Sequence, residues 1–213
     1  MNLPVLYLHG FASGPSSSKA RIFSEHFQAL GLEVAVPALD GGDFRGMTLT
    51  SQLQIIEKTA ARRPCVLIGS SLGGYLAALY AARHPEVERI ILMAPAFGFA
   101  RRWGSSLGLD ALDHWQRTGA RSMLHHDLGR EAEIGWTLME DAALYEEMPA
   151  VTQPVLILHG IHDDVVPVSI SREFAANRPN VTLVEYHSDH QLLDVVDDLI
   201  VRTRDFLGLA APE

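Results

Sequence analysis

The chain has 213 residues, 47% of them hydrophobic, a mean hydropathy near zero, a single cysteine and a formal net charge of −9. That length fits one domain with a substantial core, read here as a single domain over residues 1–213. The acidic balance argues against a nucleic-acid-binding face, one cysteine excludes an internal disulfide, and no apolar run approaches membrane-spanning length.

In chain order, Val5 to Leu8 reads as a buried strand ending at His9-Gly10-Phe11. Ala12 to Ser18 is loop by composition. A helix follows to about Leu30, with Ile22, Phe23, Phe27 and Leu30 on one face and Gly31 as its stop. Leu32 to Leu39 predicts a strand, Asp40 to Asp43 a turn, and Thr48 to Arg62 an amphipathic helix. Cys65 to Ile68 has the length and β-branching of a buried strand, and its cysteine reads as core. It runs into Gly69-Ser70-Ser71-Leu72-Gly73 and then an Ala- and Leu-rich helix closed by His84-Pro85.

Strand, G-x-S-x-G and helix in that order form a nucleophile elbow, a sharp turn that lifts the centred serine, Ser71, above the sheet edge. Ser70 is then a packing neighbour. A Gly/Ser-rich turn without chemistry has the same appearance, so the motif needs partners elsewhere in the chain. Further strands are predicted at Arg89 to Met93, Pro154 to Leu158 and Val181 to Tyr186, with a last helix from about Gln191 to Phe206 and Gly208 after it. Six apolar strands with helices between most of them imply a mostly parallel sheet covered on both faces. Ligands in such sheets sit beyond the carboxyl ends of the strands.

Residues 97–153 form an insertion too long for a simple crossover, and they contain Trp103, Trp115 and Trp136. Helical patterns surround Asp110 to Arg117 and Trp136 to Glu147, and Gly129-Arg130 fits a hairpin turn. This is expected to be a small helical cap over the Ser71 site, its tryptophans governing which substrates enter and what chain length they carry. The bland alternative is an outlying decoration with its own small cluster.

A serine hydroxyl needs a base, and the base needs a third group to fix its tautomer. Downstream of Ser71, His159 to Pro167 and Tyr186 to His190 offer an acid and then a histidine, each after a strand. These features resemble the α/β-hydrolase superfamily, in particular its small serine esterases and thioesterases, over Leu3 to Phe206. The family's His-Gly-x-x-Asp-x-x-Val-Pro motif matches His159 to Pro167 and implies Asp163 as the triad acid, ahead of Asp164. The family's histidine before the final helix implies His190, ahead of His187. The same resemblance implies an oxyanion hole from the backbone N–H groups of Phe11 and Leu72. The chain departs from the His-Gly-Gly-Gly loop of one lipase group, and it begins at what would be the family's third strand.

The expected activity is therefore a serine hydrolase acting on a small acyl ester or thioester through an acyl-enzyme. Acyl transfer, amide cleavage, and a non-catalytic ligand-binding protein on the same fold are the alternatives. No nucleotide-binding glycine motif occurs, so no cofactor is expected. His125-His126-Asp127 and His187-x-Asp189-His190 are the conceivable metal ligands, but neither has helical His spacing and no metal is expected. No nucleic-acid or integral membrane partner is expected. The start lacks a signal-peptide pattern, which predicts a cytoplasmic location.

Overall fold

In the computed structural model, which describes residues 3–210, the apolar runs become one six-stranded parallel sheet. Its strands are β1 (Val5–Leu8), β2 (Val34–Ala35), β3 (Cys65–Ser70), β4 (Val87–Met93), β7 (Val155–Gly160) and β8 (Val181–Tyr186), in the order β2-β1-β3-β4-β7-β8. The helices of this layer are α1 (Ser18–Ala29), α2 (Leu49–Ala60), α3 (Leu72–Ala81), α7 (Val168–Ala175) and α8 (Val196–Leu207).

Side chains alternate across the pleat and divide the core in two. Val5, Tyr7, Val66, Ile68, Ile91 and Met93 pack with Phe23 and Phe27 of α1 and with Leu199 of α8. Leu6, Leu8, Leu67, Ile90 and Leu92 face the other way, toward α2, α3 and Phe174 of α7. From β1 the chain goes first to one side, for β2, and then to the other, for β3. The crevice at such a switch point, beyond the carboxyl ends of the strands, is where open α/β sheets bind ligands.

The insertion after β4 holds α4 (Phe99–Leu107), α5 (Leu109–Thr118), an antiparallel pair β5 (Ala120–His125) and β6 (Arg130–Gly135), and α6 (Thr137–Ala142). It is thus mostly helical, as expected, with a β-hairpin turning at Gly129-Arg130. Gly129, at φ +61°, completes the turn between β5 and β6. Trp115 is 1% exposed, donates its indole N–H to the Ile134 carbonyl, and belongs to the same hydrophobic cluster as the sheet.

Three expectations need correction. The predicted strand at 32–39 pairs only at Val34–Ala35, because this edge segment finds one neighbour, β1. Helices α4 and α7 were not anticipated; their short amphipathic patterns are completed by packing. The last helix starts at Val196, after a 3-10 turn at Leu193–Val195, because Leu192 takes φ +55°. Gly208 ends it at φ +69°, as the C′ position requires.

Candidate active site

The site is assembled from the carboxyl ends of β1, β3, β7 and β8. Ser71 follows β3 directly and holds φ +53°, ψ −116°, a region costly for a residue with a Cβ. The surrounding structure enforces it: the Ser71 N–H donates to Met93 O at 2.9 Å, and Ser71 O accepts from the Tyr75 and Ala96 N–H groups. The glycines of the motif have steric causes. A Cβ on Gly69 would lie 2.3 Å from Gly73 O, and one on Gly73 would lie 2.1 Å from Leu8 O. Neither acceptor is free to move, since both are backbone in packed elements. Ser70 is buried beside the turn.

His190 comes from the loop after β8. Asp189 Oδ1 accepts from the Gln191 and Leu192 N–H groups and folds the loop back on itself. Gly160 lets that loop approach, because a Cβ there would meet Ser188 O at 2.3 Å. The His190 imidazole then bridges two partners. Ser71 Oγ lies 3.1 Å from Nε2, and Asp163 Oδ2 lies 2.7 Å from Nδ1. The tautomer that satisfies both has Nδ1–H donating to the carboxylate and Nε2 accepting from the hydroxyl.

Asp163 is buried, whereas Asp164 and His187 are exposed. Asp163 Oδ1 accepts from the Val165 and Val166 N–H groups at 2.9 and 2.7 Å. Burial pushes the Asp163 carboxyl up, but hydrogen bonds from His159, His190 and Val166 outweigh it and hold the group well below the usual carboxylate range.

Phe11 and Leu72 stand on either side of Ser71. A Cβ on Gly10 would lie 3.5 Å from Ser71 Cβ, so the Phe11 loop abuts the serine, and Leu72 opens α3. Among the described residues neither N–H is taken by a protein acceptor. His9 fixes this loop: its Nδ1–H donates to Gly10 O at 3.0 Å while Nε2 accepts from the Leu39 N–H at 3.2 Å. Burial lowers the His9 pKa and favours that neutral form, against the Gly10 hydrogen bond.

Three groups have roles that the residue pattern did not expose. His159, wholly buried, places Nε2 3.1 Å from Asp163 Oδ2 and 2.8 Å from Val166 O, with Ser171 Oγ on Nδ1 at 2.7 Å. It reads in sequence as a strand terminus. Arg102 of α4 donates to Val165 O at 2.7 Å and so ties the insertion to the Asp163 loop. Lys19, 9% exposed, lies on the wall of a cleft of about 690 Å³ that also exposes Ser71 and His190. The one sequence signal for it is a cation in the first turn of α1, where the helix dipole disfavours it.

None of the three tryptophans lines that cleft. Trp103 packs edge-on against Phe11, with ring centroids 4.9 Å apart, and the aromatic row continues through buried Trp115 to half-buried Trp136. The hairpin tip does reach the cleft: His126 N–H donates to Ala12 O at 2.8 Å, and Asp127 accepts from Ser16 Oγ. His125 turns away into the core against Phe44.

Known proteins share this architecture. The mitochondrial palmitoyl-protein thioesterase ABHD10 of Rattus norvegicus is 28% identical over 226 residues, covering 97% of this chain and 75% of that protein. The structure of mouse alpha/beta hydrolase domain-containing protein 10 superposes with a TM-score of 0.81 at 23% identity, over 96% of this chain and 89% of that one. A putative hydrolase from Agrobacterium vitis S4 gives a TM-score of 0.83 at 22% identity, over 96% and 88%. The fold is that of the α/β-hydrolase superfamily. The model of the Uncharacterised protein family (UPF0227) matches residues 4–207, and the chain belongs to that family.

Proposed function

We propose that the protein is a serine hydrolase that cleaves carboxylic esters or thioesters of small acyl groups. The single observation that carries this reading is the hydrogen-bonded row Ser71–His190–Asp163 hung on a strained, sheet-edge serine. Ser71 Oγ attacks the acyl carbon while His190 Nε2 takes its proton. The tetrahedral oxyanion meets the N–H groups of Phe11 and Leu72, the second at a helix start where the dipole favours negative charge. As the bond to the leaving oxygen or sulfur breaks, His190 returns the proton to the alcohol or thiol. Water then attacks the acyl-enzyme with His190 again as base, and the acid departs with Ser71 restored. Asp163, acceptor-only and held ionised, orients His190 and balances the imidazolium.

The relative named palmitoyl-protein thioesterase supports the thioester half of this reading. The insertion is the cap of the site, resting on the loops that carry Phe11, Ser16 and Val165. The test is turnover of 4-nitrophenyl butyrate and a butyryl thioester. Ser71→Ala should reduce it by up to about 10⁶-fold while leaving the fold unchanged. Ser70→Ala should keep most activity, and a fluorophosphonate should label Ser71. Labelling of Ser70 alone, or full turnover by Ser71→Ala, would overturn the assignment.

A further inference from the structure

Lys19 is a cation in the wrong place for stability. It is buried to within 9% of full exclusion, and among the described residues its ammonium makes no hydrogen bond or ion pair. A buried, unpaired charge is among the costliest features a fold can carry. Desolvation pulls its pKa down to about 8, against the pull of Asp163 and Asp189. Those two carboxylates are committed elsewhere, Asp163 to His159, His190, Val165 and Val166, and Asp189 to the Gln191 and Leu192 N–H groups. Asp127, on the same cleft wall, is held by Ser16.

The surroundings repeat the same imbalance. Lys19 sits in the first turn of α1, a helix with no acidic residue in that turn and no side-chain cap at Ser17. Among the described residues the N–H groups of Ser18, Lys19 and Ala20 have no protein acceptor. The positive end of a helix dipole and a buried ammonium thus share one wall of the cleft, with Ser16, Ser17 and Ser18 beside them. Ser71 and His190 lie on the same cleft.

We infer that Lys19 and the start of α1 form a subsite for an anionic group of the substrate, so that the preferred esters or thioesters carry a carboxylate close to the scissile bond. This rests on the serine-hydrolase reading of Ser71 and adds to it the class of substrate. An anion bound there satisfies the ammonium and the free N–H groups together. A neutral acyl ester leaves both unpaired, at the cost that any unmatched buried polar group imposes on the wrong substrate.

The experiment uses matched probes that differ in one charge. 4-Acetoxybenzoate and its methyl ester place the charge on the leaving group. 4-Nitrophenyl hydrogen terephthalate and its methyl ester place it on the acyl group. In the wild type, kcat/KM for the anionic member of at least one pair should exceed that of its neutral mate by roughly 10- to 100-fold, the scale of a charge-assisted contact. Lys19→Met should abolish that ratio and leave the neutral esters within about threefold of wild type. Lys19→Arg should retain part of it. Equal rates within both pairs for the wild type, or a uniform loss on all four probes in a folded Lys19→Met variant, would sink the inference.

Calorimetric titration with 4-hydroxybenzoate and terephthalate gives a readout that needs no turnover. Binding of either anion that is lost in Lys19→Met supports the subsite even if Ser71→Ala proves that the hydrolase reading is wrong. Failure of both anions to bind the wild type, with equal rates within the ester pairs, rejects the subsite while leaving the hydrolase reading intact.

Discussion

At the scale of single residues, Asp163 and Asp164 differ by environment and not by chemistry. Asp163 Oδ1 takes two backbone N–H groups and Oδ2 takes two imidazoles, whereas Asp164 is exposed. Asp163→Asn should therefore lower kcat by roughly 10⁴-fold, through the wrong His190 tautomer, and Asp164→Asn should be mild. In the proposed mechanism His159 would act through Asp163 as a positioning residue. With Nε2–H shared between Asp163 Oδ2 and Val166 O, His159→Phe leaves both acceptors short of a donor. The expected result is a kcat lower by about tenfold or more with KM little changed, and partial recovery in His159→Gln, whose amide can donate; equal loss in both variants would make the role merely one of packing.

The same scale holds a stability test at Lys19. Its folded pKa is depressed to about 8, below the roughly 10.4 of an unfolded chain. The unfolded state binds the proton more tightly between those values, so the penalty is complete below about pH 8 and fades as pH rises toward 10.4. Lys19→Met should consequently raise the melting temperature by several degrees at pH 7, with the advantage shrinking by pH 10. Comparing the two proteins at each pH cancels the contributions of other groups such as Cys65, whose thiol burial pushes up to about 11. Ionisable groups that bear on the result are Asp163 and Asp189 by their field, and Asp127, His126 and His190 by their place on the cleft. A melting temperature lowered at pH 7 would mean that Lys19 is paid for by packing of its stem.

At the scale of elements, the insertion touches the site through contacts and not through a wall of tryptophan. Trp103 of α4 backs Phe11, and Arg102 holds the Val165 carbonyl. Trp103→Ala removes the support of the loop that carries the Phe11 N–H. It should lower kcat/KM by roughly 10- to 100-fold on short and long acyl esters alike, because a small misplacement of a positioning loop affects every substrate. A change confined to long chains would restore the sequence-based expectation that tryptophan selects chain length.

At the scale of the whole molecule, the insertion and the sheet share one hydrophobic cluster. Trp115, Ile134, Leu138 and Met139 pack in it together with Leu6, Leu67 and Ile90. All three tryptophans lie in the insertion, while most of the backbone signal comes from the sheet and its helices. Urea unfolding followed by tryptophan fluorescence and by far-ultraviolet circular dichroism should therefore give coincident transitions. An earlier fluorescence transition would mean that the insertion unfolds as a separate unit. Among the described residues no helix is long and apolar enough to cross a membrane.

Much of this protein was legible before any coordinates. The strand–G-x-S-x-G–helix pattern at Cys65 to Ala81 names its own turn, because a Cβ at 69 or 73 would lie 2.3 or 2.1 Å from a backbone oxygen. The unbroken apolar runs along β1, β3 and β4 likewise report a sheet buried on both faces. Those are local signals, carried by residues that are neighbours in the chain. The local signals of Lys19, a cation in the first turn of a helix, and of His159, the first residue of its motif, name no partner, and Arg102 carries none. Each becomes meaningful through a partner or a missing partner at long range: the Asp163 carboxylate, the Val165 carbonyl, or a cleft whose Asp127 carboxylate is held by Ser16 and not by Lys19. The short pairing of Val34–Ala35 belongs to the same class. Sequence periodicity determines which face of an element is apolar; only tertiary packing decides how long an edge strand stays paired and which buried charge is left without an answer.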